Sequence, residues 1–333
     1  MLPLLRQKFR NLYDTIRFLP KVTRRRIYLT TSLVTTMTTT GIYVGLQTTK
    51  IETFVNHLQM YRMKMPFPVN EKLIDLLNET IKNDGFKFNS KRIDLFNTFG
   101  CDIYSIGNVH LPTGAYIGVP FTFNLESIRQ LNTDDIRLLG RYKTKRSRDS
   151  PVIKQLFESL ILSDDAKQFA LSHQLHLLSS SYFFIKSLNI MTMTGLYMWL
   201  VPKFNRSLGF YESNNLARSL RLLPRMCGAL FCMFLMTTIT IVSDQFLDYI
   251  YDLNCLRKTI RQNDQHIPGG CEFYQKLIKR NQAMYELLAD HGPKFFTKNG
   301  DVKRLFGLYQ TSYSTHLDFL NSQTTNNNDN NNS

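Results

Sequence analysis

Two histidines, His173 and His176, stand three residues apart in the stretch ALSHQLHLL. The H-E-x-x-H zinc pattern needs histidines four apart and a glutamate directly after the first, because that glutamate activates the metal-bound water. In this chain Gln174 takes the place of the glutamate and Leu177 the place of the second histidine. Glutamine cannot accept the proton of the water and leucine cannot bind a metal. The pattern therefore predicts an ordinary polar helix surface, with no metal, no cofactor and no hydrolytic activity.

A second pair of reactive side chains, Asp248 and Asp252, lies one helical turn apart after a long apolar stretch. Membrane-embedded zinc proteases place an acidic helix in this position to supply the third metal ligand. The order of elements resembles that scaffold without its catalytic residues: a glycine-containing strand (114–123), a helix opened by Ser163, two spans and an acidic pair. One hypothesis is therefore a protease-like protein or a regulator of proteolysis with a degenerate site at His173–Leu177. The other interpretation is that the two aspartates solvate the end of a span.

Three apolar windows indicate a membrane protein: 27–46, 182–201 and 226–242. Twenty residues form a helix of about 30 Å, the thickness of the hydrocarbon core of a bilayer, whereas one strand of that length would reach about 65 Å. The first window is rich in threonine, whose hydroxyl can return a hydrogen bond to the preceding turn. The sequence therefore predicts three transmembrane helices.

The uneven charge predicts an orientation. The chain has a net charge of +15, and residues 1–26 carry eight basic residues against Asp14 alone. Apolar residues at helical spacing in the same segment make it basic and amphipathic, which is typical of mitochondrial targeting. The connection 202–225 is also basic, so the positive-inside rule places it and the N-terminus in the matrix. Segments 47–181 and 243–333 are then expected together in the intermembrane space.

Other chemistry is weakly indicated. The five cysteines form no C-x-x-C pair, which favours reduced thiols. The basic stretch RYKTKRSR (141–148) lacks the interleaved aromatic residues of a nucleic-acid site, so it is interpreted as a loop facing water or anionic lipid headgroups. No nucleic acid and no small-molecule substrate are expected. The apolar windows indicate the lipid bilayer as a partner.

Local signals predict a mainly α-helical multi-pass protein with a small α+β soluble portion. Asn70 caps a helix that Gly85 ends, and 108–123 is expected to form a β-hairpin or paired strands. Helices over 246–265 and 270–290 are expected on either side of Pro-Gly-Gly. The predicted organisation is a basic segment 1–26, span 27–46, soluble domain 47–181, span 182–201, connection 202–225, span 226–242, helical region 243–320 and disordered tail 321–333.

Three blocks resemble the transmembrane protein 177 family of the mitochondrial inner membrane: GAYIGVPFTF, LILSDDAKQFAL and PGGCEFYQKLIKRNQAMYELLADHGPKFFTKNGD. The family-motif positions are Gly269, Gly270, Glu272, Phe273, Tyr274, Lys276, Leu277 and Asn281, and an Asn-Gly turn also matches. The resemblance implies a non-enzymatic factor that works with cytochrome c oxidase subunit 2 and its assembly chaperone, stabilising that chaperone and supporting biogenesis of the subunit.

The last of these blocks places apolar residues, among them Phe273 and Leu277, on one helical stripe flanked by Tyr274 and Tyr285. Such a stripe serves either as core packing or as a groove for a partner. Two functional classes remain: an assembly factor that holds a newly inserted subunit, and a protease-like protein. A transporter is disfavoured because Lys186 is the one charged residue within the predicted spans.

Overall fold

The computed structural model describes residues 19–88, 92–127, 137–138, 142–143, 150–209, 218–303 and 312–331. This part of the chain is mostly helical. Its helices are α1 Lys21–Gln47, α2 Ile51–Leu58, α3 Glu71–Asn83, α4 Pro151–Leu160, α5 Asp164–Ser179, α6 Tyr182–Ser207, α7 Arg218–Gln262, α8 His266–Leu287, α9 Gly292–Phe295 and α10 Tyr313–Asn331. The chain divides into two compact units, residues 1–44 with 186–241, and residues 45–185 with 242–333.

Long helices cover all three predicted spans, but the prediction of three transmembrane helices is only partly met. Within the described residues, one helix is long and apolar enough to cross a membrane, over Leu223–Gln262, and little of its apolar stretch is buried. α1 falls short because its many threonines carry hydroxyl groups, and α6 because Lys186 and Asn189 interrupt its apolar residues. Composition therefore supports one candidate span.

Within the first unit, the end of α6 packs against the beginning of α7. The rings of Phe204 and Phe231 stack with centroids 5.5 Å apart, and Asn205 Nδ2 donates to the carbonyl of Arg225 at 3.5 Å. A Cβ at Gly228 would lie 2.3 Å from Asn205 Oδ1, so the glycine permits this close approach. The small residue lets the two helix backbones come close together, as small residues commonly do where helices pack.

The strands of the second unit are β1 Tyr61–Arg62, β2 Met65–Pro66, β3 Ile93–Thr98, β4 Tyr104–Gly107, β5 Ala115–Pro120, β6 Arg137–Leu138 and β7 Tyr142–Lys143. Three of them form a sheet of order β3-β5-β4. β5 (Ala115–Pro120) lies in the centre, parallel to β3 (Ile93–Thr98) and antiparallel to β4 (Tyr104–Gly107). The prediction of paired strands over 108–123 is confirmed only for β5, because residues 108–114 form the turn that follows β4. β1 and β2 form a short antiparallel hairpin, and β6 pairs antiparallel with β7.

Helix ends in this unit follow their sequence signals. Asn70 Oδ1 accepts from the amide of Lys72 at 3.1 Å and Ser163 Oγ accepts from the amide of Ala166 at 3.2 Å, so both predicted N-caps are confirmed. Gly85 follows α3 with a φ of 63°, a conformation that glycine adopts without a steric penalty.

One hydrophobic core joins the two parts of the chain that make the second unit. Side chains from before residue 186, such as Leu77, Ile117 and Phe169, pack in the same cluster as Leu256 and Leu320. The sequence predicts a soluble domain 47–181 and a separate helical region 243–320. The structure instead gives them a shared core, because neither part covers its own apolar faces.

Two predicted boundaries differ from the structure. The expected break at Pro268-Gly269-Gly270 does not occur, because these residues lie in the first turns of α8, where proline is tolerated. The predicted disordered tail over 321–333 is helical as far as Asn331. Leu320 is fully buried and anchors α10 in the core, and extending an established helix costs far less than starting one.

Candidate functional site

One histidine of the first pair and both aspartates of the second line the same cavity in the second unit. This cavity has a volume of about 250 Å³ and is lined by His173 and Gln174 from α5 and by Asp248 and Asp252 from α7. His173 Nε2 lies 3.3 Å from Asp252 Oδ1. Asp248 makes a different contact and accepts a hydrogen bond of 2.6 Å from the hydroxyl of Tyr182. The partner of His173 is therefore Asp252, and Asp248 is engaged elsewhere.

The sequence gives no indication of a third member of this cluster, His316 on α10. Its Nε2 lies 3.2 Å from Asp252 Oδ2, although the contact lacks the alignment of a hydrogen bond, and Nδ1 has no partner. The ring packs against Tyr274 with centroids 4.8 Å apart. Because His316 follows Asp252 by 64 positions and lies in an unremarkable polar helix, only the tertiary structure reveals the cluster.

The surroundings of His173 favour its charged form. Burial alone would lower its pKa, but the hydrogen bond and the charge of Asp252 outweigh burial, so the pKa is raised above the ordinary value of 6.5. The side chain is 8% exposed and the carboxylate of Asp252 is 29% exposed. In its charged form His173 makes a structural ion pair with Asp252, and in that form neither ring nitrogen has a lone pair with which to bind a metal.

His176 does not join His173 in this cluster. Its ring packs against Phe86 with centroids 4.8 Å apart, and its Nε2 has no hydrogen-bond partner. Burial lowers its pKa to about 4, so it is neutral at physiological pH. The prediction that the two histidines form an ordinary polar surface is wrong, because both are buried, with exposed fractions of 6% and 7%. α5 is packed on more than one side, which the spacing of its polar residues conceals.

A second polar cluster is centred on Asp84, directly after α3. Its carboxylate accepts hydrogen bonds from the hydroxyl of Ser172 and from His266 Nε2, the latter at 2.9 Å, and Gln262 donates to its backbone carbonyl. Burial opposes ionisation, but these donors prevail and the pKa of Asp84 is lowered. The cluster ties α5, α7 and α8 to the end of α3. Its serine donates to the carboxylate rather than to a histidine, so it is not arranged as a nucleophile.

The glycines of the family motif set the distance between α8 and its neighbours. A Cβ at Gly269 would lie 2.5 Å from the backbone carbonyl oxygen of Asp165 in α5. A Cβ at Gly270 would lie 2.8 Å from Phe169 and 3.0 Å from Leu320. The sequence predicts that Pro-Gly-Gly separates two helices, whereas the structure places both glycines within α8. They are helical, and they are needed because any side chain would push the helices apart.

The charged residues of the motif are also used internally. Glu272 accepts hydrogen bonds from the hydroxyl and from the backbone amide of Ser163, the latter at 3.1 Å. Lys276 Nζ lies 2.7 Å from Glu272 Oε1 and donates to the carbonyl of Ile161. Burial would raise the pKa of Glu272, but Lys276 and Ser163 together lower it. The pair therefore caps the first turn of α5 from the neighbouring helix.

The remaining motif positions are structural as well. Phe273, Tyr274 and Leu277 are buried in the main core, so the apolar stripe is core packing rather than a partner groove. Asn281 Nδ2 donates to the carbonyl of Gly300 at 2.7 Å, which joins α8 to the predicted Asn-Gly turn. Gly300 has a φ of 91°, as such a turn requires. The motif thus specifies the scaffold of the second unit.

Several further expectations can be placed. Among the described residues, no group of three His, Cys, Asp or Glu side chains has the arrangement to hold a metal ion. The basic stretch 141–148 lies outside the described residues except for positions 142–143, and residues 1–18 of the basic N-terminal segment also lie outside them.

The cavity is lined by the cluster of His173, Asp252 and His316. It also contains the carboxylate of Asp248, which is bound to Tyr182, and the amide oxygen of Gln174, which has no hydrogen-bond partner.

The described part of the chain is mostly helical, and one of its helices is long and apolar enough to cross a membrane. The chain belongs to the transmembrane protein 177 family, whose model matches residues 58–329. It is 26% identical to transmembrane protein 177 of Rattus norvegicus, over 79% of this chain and 81% of the relative. It is 27% identical to the Homo sapiens protein, over 78% and 80% of the two chains. No solved structure matches the chain.

Proposed function

We propose that this protein is a non-enzymatic assembly factor of the mitochondrial inner membrane that stabilises the chaperone of cytochrome c oxidase subunit 2 and supports biogenesis of that subunit. The observation that carries the proposal is the family match over residues 58–329, since the function is what that resemblance implies. The amphipathic basic segment 1–26 supports mitochondrial import.

The arrangement of α8 is consistent with a binding protein. Its motif residues Glu272, Lys276 and Asn281 use their polar groups to hold neighbouring elements together. A side chain whose polar groups are all used in such contacts stabilises the scaffold and is not available to react with a substrate. A rigid scaffold is what a protein needs in order to hold a newly inserted subunit beside its chaperone.

The shared core of the second unit supports a membrane hairpin. Residues 45–185 and 242–333 pack together, so they lie on the same side of any membrane that the chain crosses. The chain between them must then cross an even number of times. With α7 as a span, α6 is the natural second crossing, because the end of α6 packs on the beginning of α7. In this proposal Lys186 lies near the end of the α6 span, and its long side chain extends its ammonium group to the membrane–water interface.

The proposal is tested by affinity capture of the tagged full-length protein from solubilised mitochondria. Oxidase subunit 2 and its chaperone should co-purify with it and not with an unrelated tagged inner-membrane protein. Loss of the protein should lower the steady-state level of the chaperone, and re-expression should restore it. Unchanged chaperone levels together with no co-purification would refute the assembly role.

The alternative is a zinc-protease-like protein or a regulator of proteolysis with a degenerate site at His173–Leu177, and the cluster of His173, Asp252 and His316 at the cavity is the place to test it. His173→Gln distinguishes the two functions, because glutamine keeps a hydrogen-bonding group beside Asp252 and is a poor zinc ligand. For an assembly factor, the folded variant supports oxidase assembly as the original does, and the purified protein contains no stoichiometric zinc. One equivalent of zinc, lost in the variant along with assembly, would instead establish the metal-dependent function.

A further inference from the structure

The β1–β2 hairpin, residues 61–66, presents apolar side chains to solvent at its tip. All six residues are exposed, and the exposed fractions are 90% for Met63, 73% for Met65 and 40% for Tyr61. Large apolar residues that cluster on a protruding turn mark an interaction site more often than isolated ones do.

The backbone conformation of the turn is unfavourable for the two residues that occupy it. Tyr61 pairs with Pro66 and Arg62 with Met65, so Met63 and Lys64 are the two residues of the turn. Both have positive φ, 50° and 67°. Two-residue hairpin turns of this kind prefer Asn-Gly, because side chains with a Cβ are strained there. Strained backbone at an exposed turn is a reason to look for a function there.

The base of the hairpin is held in place. The amide of Met60 donates to the carbonyl of Asn97 at 2.7 Å, and the amide of Phe67 donates to the carbonyl of Met60 at 2.8 Å. Gln59 also forms a bridge with Thr98 of β3. The tip is therefore a fixed protrusion of the second unit rather than a loose loop.

We propose that this hairpin tip inserts into the headgroup region of an anionic lipid bilayer. Its basic and apolar residues alternate: Arg62 and Lys64 lie between Tyr61, Met63 and Met65. Flexible methionines can enter the boundary of the acyl chains, while the long basic side chains extend to anionic headgroups. The membrane family and the net charge of +15 point to the same partner.

The experiment uses the single tryptophan of the chain, Trp199. In the full-length protein, Trp199→Phe removes it and Met65→Trp places a fluorescent indole on the tip. The protein is reconstituted in phosphatidylcholine vesicles with or without cardiolipin. Lipids brominated on the acyl chain should quench the indole, and aqueous iodide should not, when cardiolipin is present. Arg62→Glu or Lys64→Glu should each lower the ratio of docked to undocked tip by at least about fivefold, because the lost basic residue contributes about that factor and the new negative charge is repelled by the anionic lipid.

Matched variants separate this role from a structural one. Lys298→Glu reverses an exposed charge at another turn and should leave the quenching unchanged. Ile74→Trp is the control for the position of the indole, because it places the indole at an exposed site on α3, away from the tip. Met63→Asn with Lys64→Gly should keep the fold, raise its melting temperature and abolish lipid quenching. Iodide quenching that is equal with and without cardiolipin would overturn the proposal. So would an indole that becomes shielded only when mitochondrial proteins are added, since the occupant would then be a protein.

Discussion

Glu272 on α8 accepts a hydrogen bond of 3.1 Å from the backbone amide of Ser163, which is itself the N-cap of α5. The carboxylate of one helix thus satisfies the first turn of another, where the helix dipole favours negative charge. Residues 109 positions apart are joined by this contact, and Lys276 reinforces it with an ion pair of 2.7 Å. The family motif is explained by this helix–helix junction.

Glu272→Gln should lower the free energy of unfolding by about 1–2 kcal/mol near neutral pH, because the amide forms weaker hydrogen bonds with Ser163 and loses the ion pair with Lys276. The pKa of Glu272 is lowered in the folded protein, so its contribution is present above pH 4.5 and is lost as the pH falls through the lowered pKa. The difference between the two proteins should therefore close in acid. Denaturant titrations check this, with Glu158→Gln, at an exposed position on α4, as the control. A difference that is constant with pH would contradict the assignment.

Gly269→Ala should lower the free energy of unfolding by about 1–3 kcal/mol, because its Cβ would lie 2.5 Å from a backbone oxygen that cannot move aside. Gly195→Ala is the matched control. It is also helical, a Cβ there meets no atom within 4 Å, and alanine favours helix formation. Thermal melts of the two variants in detergent should shift in opposite directions. A Gly269→Ala protein as stable as the original would show that α5 and α8 are not in close contact.

His176→Phe should make the protein less sensitive to acid. The pKa of His176 is about 4 when folded and 6.5 for the free side chain, so the unfolded state binds more protons between these values. Stability therefore falls as the pH drops from 6.5 to about 4, by up to about 3 kcal/mol. Phenylalanine fills similar space against Phe86 and does not titrate. Comparing unfolding curves across this pH range tests the prediction, with His57→Phe, at an exposed position on α2, as the control. An unchanged acid response would contradict it.

Topology can be tested at two positions, because the second unit draws its core from two parts of the chain. A protease site engineered at the exposed turn Pro112–Thr113 and a C-terminal tag should be equally accessible in mitoplasts. The charge asymmetry further predicts that both face the intermembrane space. Cleavage at one position and protection at the other would be incompatible with the shared core. Protection of both would reverse the predicted orientation.

Helix starts, the candidate span and the family could be predicted from the sequence. Asn70 and Ser163 identify helix starts because a side-chain oxygen before an apolar repeat caps free amides wherever the helix finally packs. The resemblance drawn from the motif between Gly269 and Asn281 is confirmed by the family model, which matches residues 58–329. The apolar stretch 226–242 marks a candidate span because length and composition are properties of one segment.

The tertiary structure decided which of these features meet. His316 reaches Asp252, and Glu272 reaches Ser163, through packing of helices that are distant in sequence. The spacing of apolar residues along a helix does not predict such pairs, because each helix has several faces and only packing decides which of them is buried. For the same reason the histidines of α5 are buried although their spacing suggests a polar surface. The joining of residues 45–185 to 242–333 follows from apolar faces that neither part can cover alone, and burial of those faces is the dominant free-energy gain in folding.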